Sequence, residues 1–500
     1  MVADKKNGPN RYINDLRRFQ YYVEQVKGQR SNLLPIAVSM LFLALIAVVV
    51  ASFFSLTNQN LFLLVVAAVV GGYMALNIGA NDVANNMGPA VGGKVLSVGM
   101  AVVLAAICES TGALLAGGDV VSTVSKGIID PEGSVNTFQF CYLMLSALFS
   151  AALWINLATY LNAPVSTTHS IVGGVLGAGI AAAGVGIVNW KMVASIVASW
   201  FISPVCGALI AALMLYFIKT KVFNVPDRIL AARKWVPFLM GLMAAAFTGY
   251  MLLKGLKRIW PLSGAETLLY SITAFILVWV VSSPYIKKKT LNLVDTKKNI
   301  YTLFHVPLIA GVCLLSFAHG ANDVANAVGP LAAIVSAVFS DGAVAAKVSI
   351  PLWVMGIGAV GIALGLMLFG PKLITTVGQK ITRLNAPRAY CVALSSAITV
   401  LIATNLGLPV SSTHIAIGAI FGVGFLREFL ENPNKKKLRP GHKLNHTADE
   451  AFRNIGIRSK RKLIRRQFMA SIGLAWVVTV PASAVLAAII FVFIQITLSI

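Results

Sequence analysis

The chain has 500 residues, of which 57% are apolar and only 12% charged, and its mean hydropathy is strongly positive. A water-soluble globule of this size carries about twice that charged fraction, so the composition excludes an ordinary soluble domain. Cys108, Cys141, Cys206, Cys313 and Cys391 stand singly, without metal-type spacing, and the formal net charge of +24 reads in such a chain as an orientation signal rather than a nucleic-acid surface.

Residues 1–32 are polar and basic, carry no signal-peptide pattern, and read as a cytoplasmic segment. Apolar runs long enough to cross a hydrocarbon layer of about 30 Å follow at 33–55, 61–78, 95–116, 137–161, 169–187, 190–218, 236–254, 267–283, 301–318, 349–369, 389–408, 414–426 and 468–497. Backbone groups in lipid must pair within their own segment, and the ten-residue alternation of a barrel is missing, so these runs predict helices. The expected fold is an all-α polytopic membrane protein of about 12–13 transmembrane segments. With the N-terminus inside, 35 of the 41 Lys and Arg residues fall on the cytoplasmic side, as the positive-inside rule requires. The basic loop 427–467 dominates that bias and could also attract anionic lipid heads.

The sequence repeats itself. Asn77–Pro89 reads NIGANDVANNMGP and His319–Pro330 reads HGANDVANAVGP, so GANDVAN recurs at an offset of 241 residues. PVSTTH at 164–169 recurs as PVSSTH at 409–414, and VSTVSKGI at 121–128 has its counterpart in ITTVGQKI at 374–381. Three blocks in one order mark a duplicated unit. An odd number of spans separates Asn81 from Asn322, whether or not the PVSTTH segment is a re-entrant hairpin, so the second copy is inverted. Such repeats place a substrate site where they meet, near the bilayer midplane. The resulting organisation is an extra helix at 33–56, a first repeat at 61–218, connecting helices and basic loops at 219–300, and a second repeat at 301–500.

Each repeat brings costly polar groups into apolar sequence. Asn81, Asp82 and Asn85 pair with Asn322, Asp323 and Asn326, and an ionised Asp at a helix centre costs about 2.5–3.5 kcal/mol on insertion scales. Gly79, Gly320, Gly88-Pro89 and Gly329-Pro330 bracket the motifs and predict discontinuous helices with exposed backbone groups. The hydroxyls of Ser166, Thr167, Thr168, Ser411, Ser412 and Thr413 stand at predicted helix starts, where free amides and the positive end of the dipole receive an oxyanion. Two aspartates and a divalent oxyanion total four negative charges, more than two helix dipoles of about half a charge each can offset, so cations must enter with the anion.

GANDVAN twice, each followed by PVS[ST]TH, resembles the inorganic phosphate transporter (PiT) family over most of residues 61–425 and the last span. Ala106–Ile129, with the intramembrane Glu109, is similar to the sodium-coupled members, whereas Val392-Ala393-Leu394 departs from them where they tend to carry a second acidic residue. The resemblance implies a phosphate importer, not an enzyme. Phosphate would bind at the repeat interface through Asn81, Asn85, Ser166, Thr167, Thr168, Asn322, Asn326, Ser411, Ser412 and Thr413. Asp82 and Asp323 would bind Na⁺ or protons, and Glu109 would be a cation site, a gate or an internal pairing partner. No cofactor is expected beyond the coupling ion. Sulfate and arsenate are the tetrahedral alternatives to phosphate, a homodimer is compatible with the family, and a bacterial-type inner membrane is the expected location.

Rival readings are bland or remote. His169 and His414 in first turns read foremost as structural hydrogen-bonders, and Gly173, Gly174, Gly177 and Gly179 as close helix packing. An intramembrane hydrolase using Ser166, His169 and Asp82 lacks a GxSxG elbow, and a hydrolase has no reason to duplicate its whole constellation.

Overall fold

The computed structural model describes residues 33–161, 165–256, 260–340, 350–380, 384–430 and 467–498. The segment 1–32 and nearly all of the basic loop 427–467 lie outside the described residues. The described chain is helical, with an isolated antiparallel bridge between Ile129 and Val188. Twelve of its helices are long and apolar enough to cross a membrane.

In chain order the helices are α1 (Leu33–Phe53), α2 (Asn58–Gly92), α3 (Val98–Ala116), α4 (Thr137–Tyr160) and α5 (Thr167–Ala183). There follow α6 (Trp190–Ile218), α7 (Arg228–Tyr250), α8 (Gly264–Lys289), α9 (His305–Asp323) and α10 (Ala325–Phe339). The last four are α11 (Leu352–Lys380), α12 (Ala386–Asn405), α13 (Ser412–Leu430) and α14 (Gln467–Leu498). Side-chain caps set several starts: Ser97 accepts from Met100 N, and Asn136 forms a capping box with Gln139. The predicted span 169–187 is the short helix α5, 17 residues long, whose start is buried. At about 1.5 Å per residue it covers roughly 25 Å, shorter than the other apolar helices, and with α9 and α10 counted as one span this gives twelve spans rather than thirteen.

Two helix pairs, one from each repeat crossing, are packed backbone against backbone. A Cβ on Gly79 of α2 would stand 2.0 Å from the carbonyl oxygen of Ile362 on α11, and one on Gly365 would stand 2.0 Å from that of Leu76. The same pattern recurs where Gly320 of α9 meets Glu109 O and Gly112 of α3 meets Phe317 O, each again at 2.0 Å. The matching offsets make α3 and α11 equivalents, as they make α2 and α9. The helices that begin at the PVS[ST]TH segments repeat the device: Gly177 of α5 lies on Ala484 O of α14, and Gly422 of α13 lies on Ala208 O of α6, each 2.0 Å from the virtual Cβ. The glycine runs are therefore packing seams, as their spacing suggests.

One expectation needs correction. GANDVAN does not break its helix in the first repeat: α2 runs unbroken for 35 residues through Gly79, Gly88 and Pro89. In the second, α9 and α10 are separated only by Val324, whose dihedrals (φ −56°, ψ −30°) remain helical. Gly79 and Gly320 are required by the approach of a neighbouring backbone rather than by an unwound turn, and Pro89, in the last turn of α2, removes one helix hydrogen bond without ending the helix. The helix ends that face the interior come instead from α5 and α13.

Candidate functional site

The starts of α5 and α13 meet the GANDVAN segments of α2 and of α9 and α10. Asp82 and Asp323 are each 1% exposed, so both carboxylates are removed from water. Thr167 Oγ1 donates to Asp82 Oδ2 at 3.2 Å, and Thr413 Oγ1 donates to Asp82 Oδ1 at 2.9 Å. Asp82 is thus held by one hydroxyl from its own repeat and one from the other. Asp323 Oδ2 accepts from Ser412 Oγ at 3.1 Å, while its Oδ1 is buried without a hydrogen-bond partner.

The asparagines cross-link the copies in the same way. Asn85 Nδ2 donates to Thr413 Oγ1 at 2.8 Å, and Asn326 Nδ2 donates to Thr167 Oγ1 and Thr168 Oγ1, both at 3.2 Å. Each threonine that accepts from an asparagine passes its own proton onward: Thr167 and Thr413 to Asp82, and Thr168 to Val410 O at 3.0 Å. These networks fix hydroxyl directions. Asn81 and Asn322 do a different job. Asn81 Nδ2 donates to Val165 O at 3.3 Å; Asn322 Nδ2 donates to Leu408 O at 3.2 Å, and its Oδ1 accepts from Val410 N at 3.1 Å. Both clamp the extended backbone leading into a hydroxyl-rich helix start.

Ser166 and Ser411 cap α5 and α13, accepting from the amides of His169 at 3.2 Å and His414 at 3.4 Å. The imidazoles of His169 and His414 pack with ring centroids 4.8 Å apart, and Trp200 stands edge-on to His169 at 3.8 Å. Trp200 Nε1 also donates to Pro409 O at 3.2 Å, fixing the second hydroxyl-rich start against α6. Thus every sequence-derived candidate among Asn81, Asp82, Asn85, Ser166, Thr167, Thr168, Asn322, Asp323, Asn326, Ser411, Ser412 and Thr413 lies in one buried constellation or braces it. Two amino-terminal helix ends converge there with hydroxyl donors, suited to a small oxyanion, beside two carboxylates suited to cations.

Glu109 belongs to the same region from the α3 side. Its Oε1 accepts from Asn86 Nδ2 at 2.9 Å, and its Oε2 lies 3.3 Å from His319 Nδ1. His319 Nε2 lies 2.9 Å from Asp323 Oδ2 and 3.8 Å from Asp82 Oδ2. His319 and Asn86 were missed by sequence reasoning. The signal was present in two differences between the motif flanks, HGAND against IGAND and VANN against VANA: a titratable side chain one helical turn before an aspartate, and an extra carboxamide after the motif.

With that geometry in view, similarities to known proteins become informative. The sequence profile of the Phosphate transporter family matches residues 78–487. A Helicobacter pylori (strain J99) protein that carries the name phosphate permease is 43% identical, covering 96% of this chain and 98% of its own. The Inorganic phosphate transporter 2-1, chloroplastic, of Arabidopsis thaliana is 35% identical over 84% of this chain and 70% of its own. A solved structure named the sodium-dependent phosphate transporter superposes with a TM-score of 0.75 at 34% identity, covering 87% of this chain and 99% of that one.

Proposed function

We propose that this chain, which belongs to the phosphate transporter family, imports inorganic phosphate by symport with Na⁺ or H⁺ through the constellation around Asp82 and Asp323. The observation that carries the reading is the hydroxyl pair of Thr167 and Thr413, one from each repeat, converging on a single buried carboxylate. Phosphate is received between the starts of α5 and α13, where main-chain amides and the hydroxyls of Ser166, Thr167, Thr168, Ser411, Ser412 and Thr413 line its place, those of Thr167, Ser412 and Thr413 turning from the aspartates to the anion once a cation takes the carboxylates. Asn85 and Asn326 orient those hydroxyls, and Asn81 and Asn322 hold the backbone that presents them.

Charge balance gives the coupling. Asp82 and Asp323 with divalent phosphate bring four negative charges into a dry site, and desolvating them uncompensated costs several kcal/mol per ion. A cation bound at the aspartates offsets that cost, so phosphate and cation bind better together than apart, which is the condition for symport. The sodium dependence named for the structural relative favours Na⁺. The membrane in question is the cytoplasmic membrane, with the N-terminus inside. Labelled phosphate uptake into proteoliposomes, under Na⁺ and pH gradients imposed separately, tests the proposal. Uptake indifferent to both gradients refutes symport, and stronger competition by sulfate than by arsenate refutes phosphate as the substrate.

A further inference from the structure

Helices α7 and α8 stand outside both repeats. Gly249 faces Ser271 Oγ, Gly241 faces Phe275 O, and Arg233 reaches Thr290, so the two run antiparallel and the start of α7 lies beside the end of α8. The stretches 219–234 and 287–298 at that end carry ten Lys and Arg against two Asp. Both aspartates are engaged: Asp295 accepts from the Arg228 amide at 3.1 Å and pairs with its guanidinium at 3.3 Å, and Asp227 caps α7 by accepting from Leu230 N at 2.8 Å. Arg233, Lys234 and Lys289 pair with no carboxylate among the described residues. Topology asks for positive charge at this end of the helices, but it does not ask for a guanidinium fixed in a cleft.

We propose that the cleft at these helix ends binds the phosphate group of an anionic phospholipid, with Arg233 as its principal ligand. The cleft has a volume of about 420 Å³ and is lined by Ile229 and Leu230 as well as by Arg233 and the two engaged aspartates. Arg233 Nε donates to Thr290 Oγ1 at 2.7 Å, and that buried hydroxyl is itself tied to the carbonyls of Ile286 at 2.9 Å and Lys287 at 2.8 Å. The guanidinium is thus held by one edge. Its two terminal nitrogens make no hydrogen bond among the described residues, which leaves a fixed fork for two phosphate oxygens.

The surroundings suit a lipid rather than a free anion. Lys234 lies over the Trp235 ring, 5.3 Å from its centroid, and Lys289 lies over Tyr285 at 5.4 Å, with Nζ donating to the phenol oxygen at 3.2 Å. Trp and Tyr collect at the headgroup level, so these ammonium groups and Arg233 are held at the depth of lipid phosphates. Beyond that level α8 is an apolar rod with little cover: only 6% of its apolar window is buried, and Ile276, Val280 and Val281 are exposed. Acyl chains have that surface to follow, while Ile229 and Leu230 give the cleft itself apolar contact.

That the lipid comes from the cytoplasmic leaflet rests on the orientation proposed above; the binding itself does not. The test is native mass spectrometry of the purified full chain in nonionic detergent, titrated separately with phosphatidylglycerol and phosphatidylcholine. Phosphatidylglycerol should fill one saturable site at least about tenfold more tightly than phosphatidylcholine. Arg233→Gln should weaken it at least about tenfold, the size of a lost charge-assisted hydrogen bond. Arg233→Lys keeps the charge without the fork and should weaken it several-fold, which keeps the test decisive if Arg233→Gln does not fold. Lys298→Gln removes the same charge outside the cleft and should change affinity less than about threefold. Equal affinity for the two lipids, wild-type affinity in either Arg233 variant, or equal losses in Arg233→Gln and Lys298→Gln overturns the site. Millimolar inorganic phosphate should leave phosphatidylglycerol bound; displacement would make the cleft a site for soluble anions and overturn the lipid. Detergent has no leaflets, so an error in the orientation would move the lipid to the other face and change none of these readings.

Discussion

Thr413→Val offers the sharpest separation between the two halves of the site. The substitution keeps the shape and removes a hydroxyl that donates to Asp82 Oδ1 at 2.9 Å and accepts from Asn85 Nδ2 at 2.8 Å. A hydrogen bond to a charged group contributes about 1.5–3 kcal/mol, and each 1.4 kcal/mol is about tenfold in an equilibrium constant. The hydroxyl stabilises the empty, ionised carboxylate, so without it the apparent affinity for a coupling cation that binds there should rise by about 10–100-fold. Its repeat equivalent, Thr168, donates to the neutral Val410 carbonyl rather than to Asp323. Thr168→Val should lose only about 0.5–1.5 kcal/mol, or about two- to tenfold. The assay is initial phosphate uptake into proteoliposomes across a range of cation concentrations, with protein orientation and amount matched. Equal shifts in the two variants, or a larger one in Thr168→Val, would refute the assignment of Thr413 to the Asp82 carboxylate.

Asp82→Asn and Asp323→Asn should each abolish gradient-driven uptake in the same vesicles; accumulation in either at the wild-type level would remove the carboxylate from the coupling. Gly79→Ala forces a Cβ to within 2.0 Å of Ile362 O, so it should lower thermal stability in detergent by several degrees, whereas Gly356→Ala, with nothing within 4 Å, should leave stability unchanged or slightly raised. Lys254→Ala removes an ion pair with Asp119, whose side chain is 50% exposed, and should shift the melting temperature little, because solvent screens such pairs. Trp200→Phe loses the bond to Pro409 O and should reduce phosphate affinity by several-fold through a looser start to α13, measured as a rise in KM at constant protein level.

The sequence exposes those features that are local and repeated. Long apolar runs without strand alternation mark the helices because a backbone in lipid must pair its own groups, and GANDVAN and PVS[ST]TH mark the constellation because each word recurs. Helix continuity through Gly79 was not legible: a glycine that admits a neighbour's carbonyl and a glycine that breaks a turn are the same letter, and only the position of Ile362 distinguishes them. The division of labour among asparagines was equally hidden. Asn81 and Asn85 sit in one motif, yet one grips the backbone at Val165 and the other reaches across to Thr413, a choice set by how the copies cross. His319 escaped notice because attention falls on what a repeat preserves, and its meaning lies in what the repeat has changed.

The contacts of Gly177 with Ala484 and of Gly422 with Ala208 have a mechanical consequence. Each short helix that begins at the site is keyed, main chain against main chain, to a full-length neighbour, so it has no freedom to swing alone. Any exchange of the site between the two sides of the bilayer must shift α5 together with α14, and α13 together with α6, as two-helix levers.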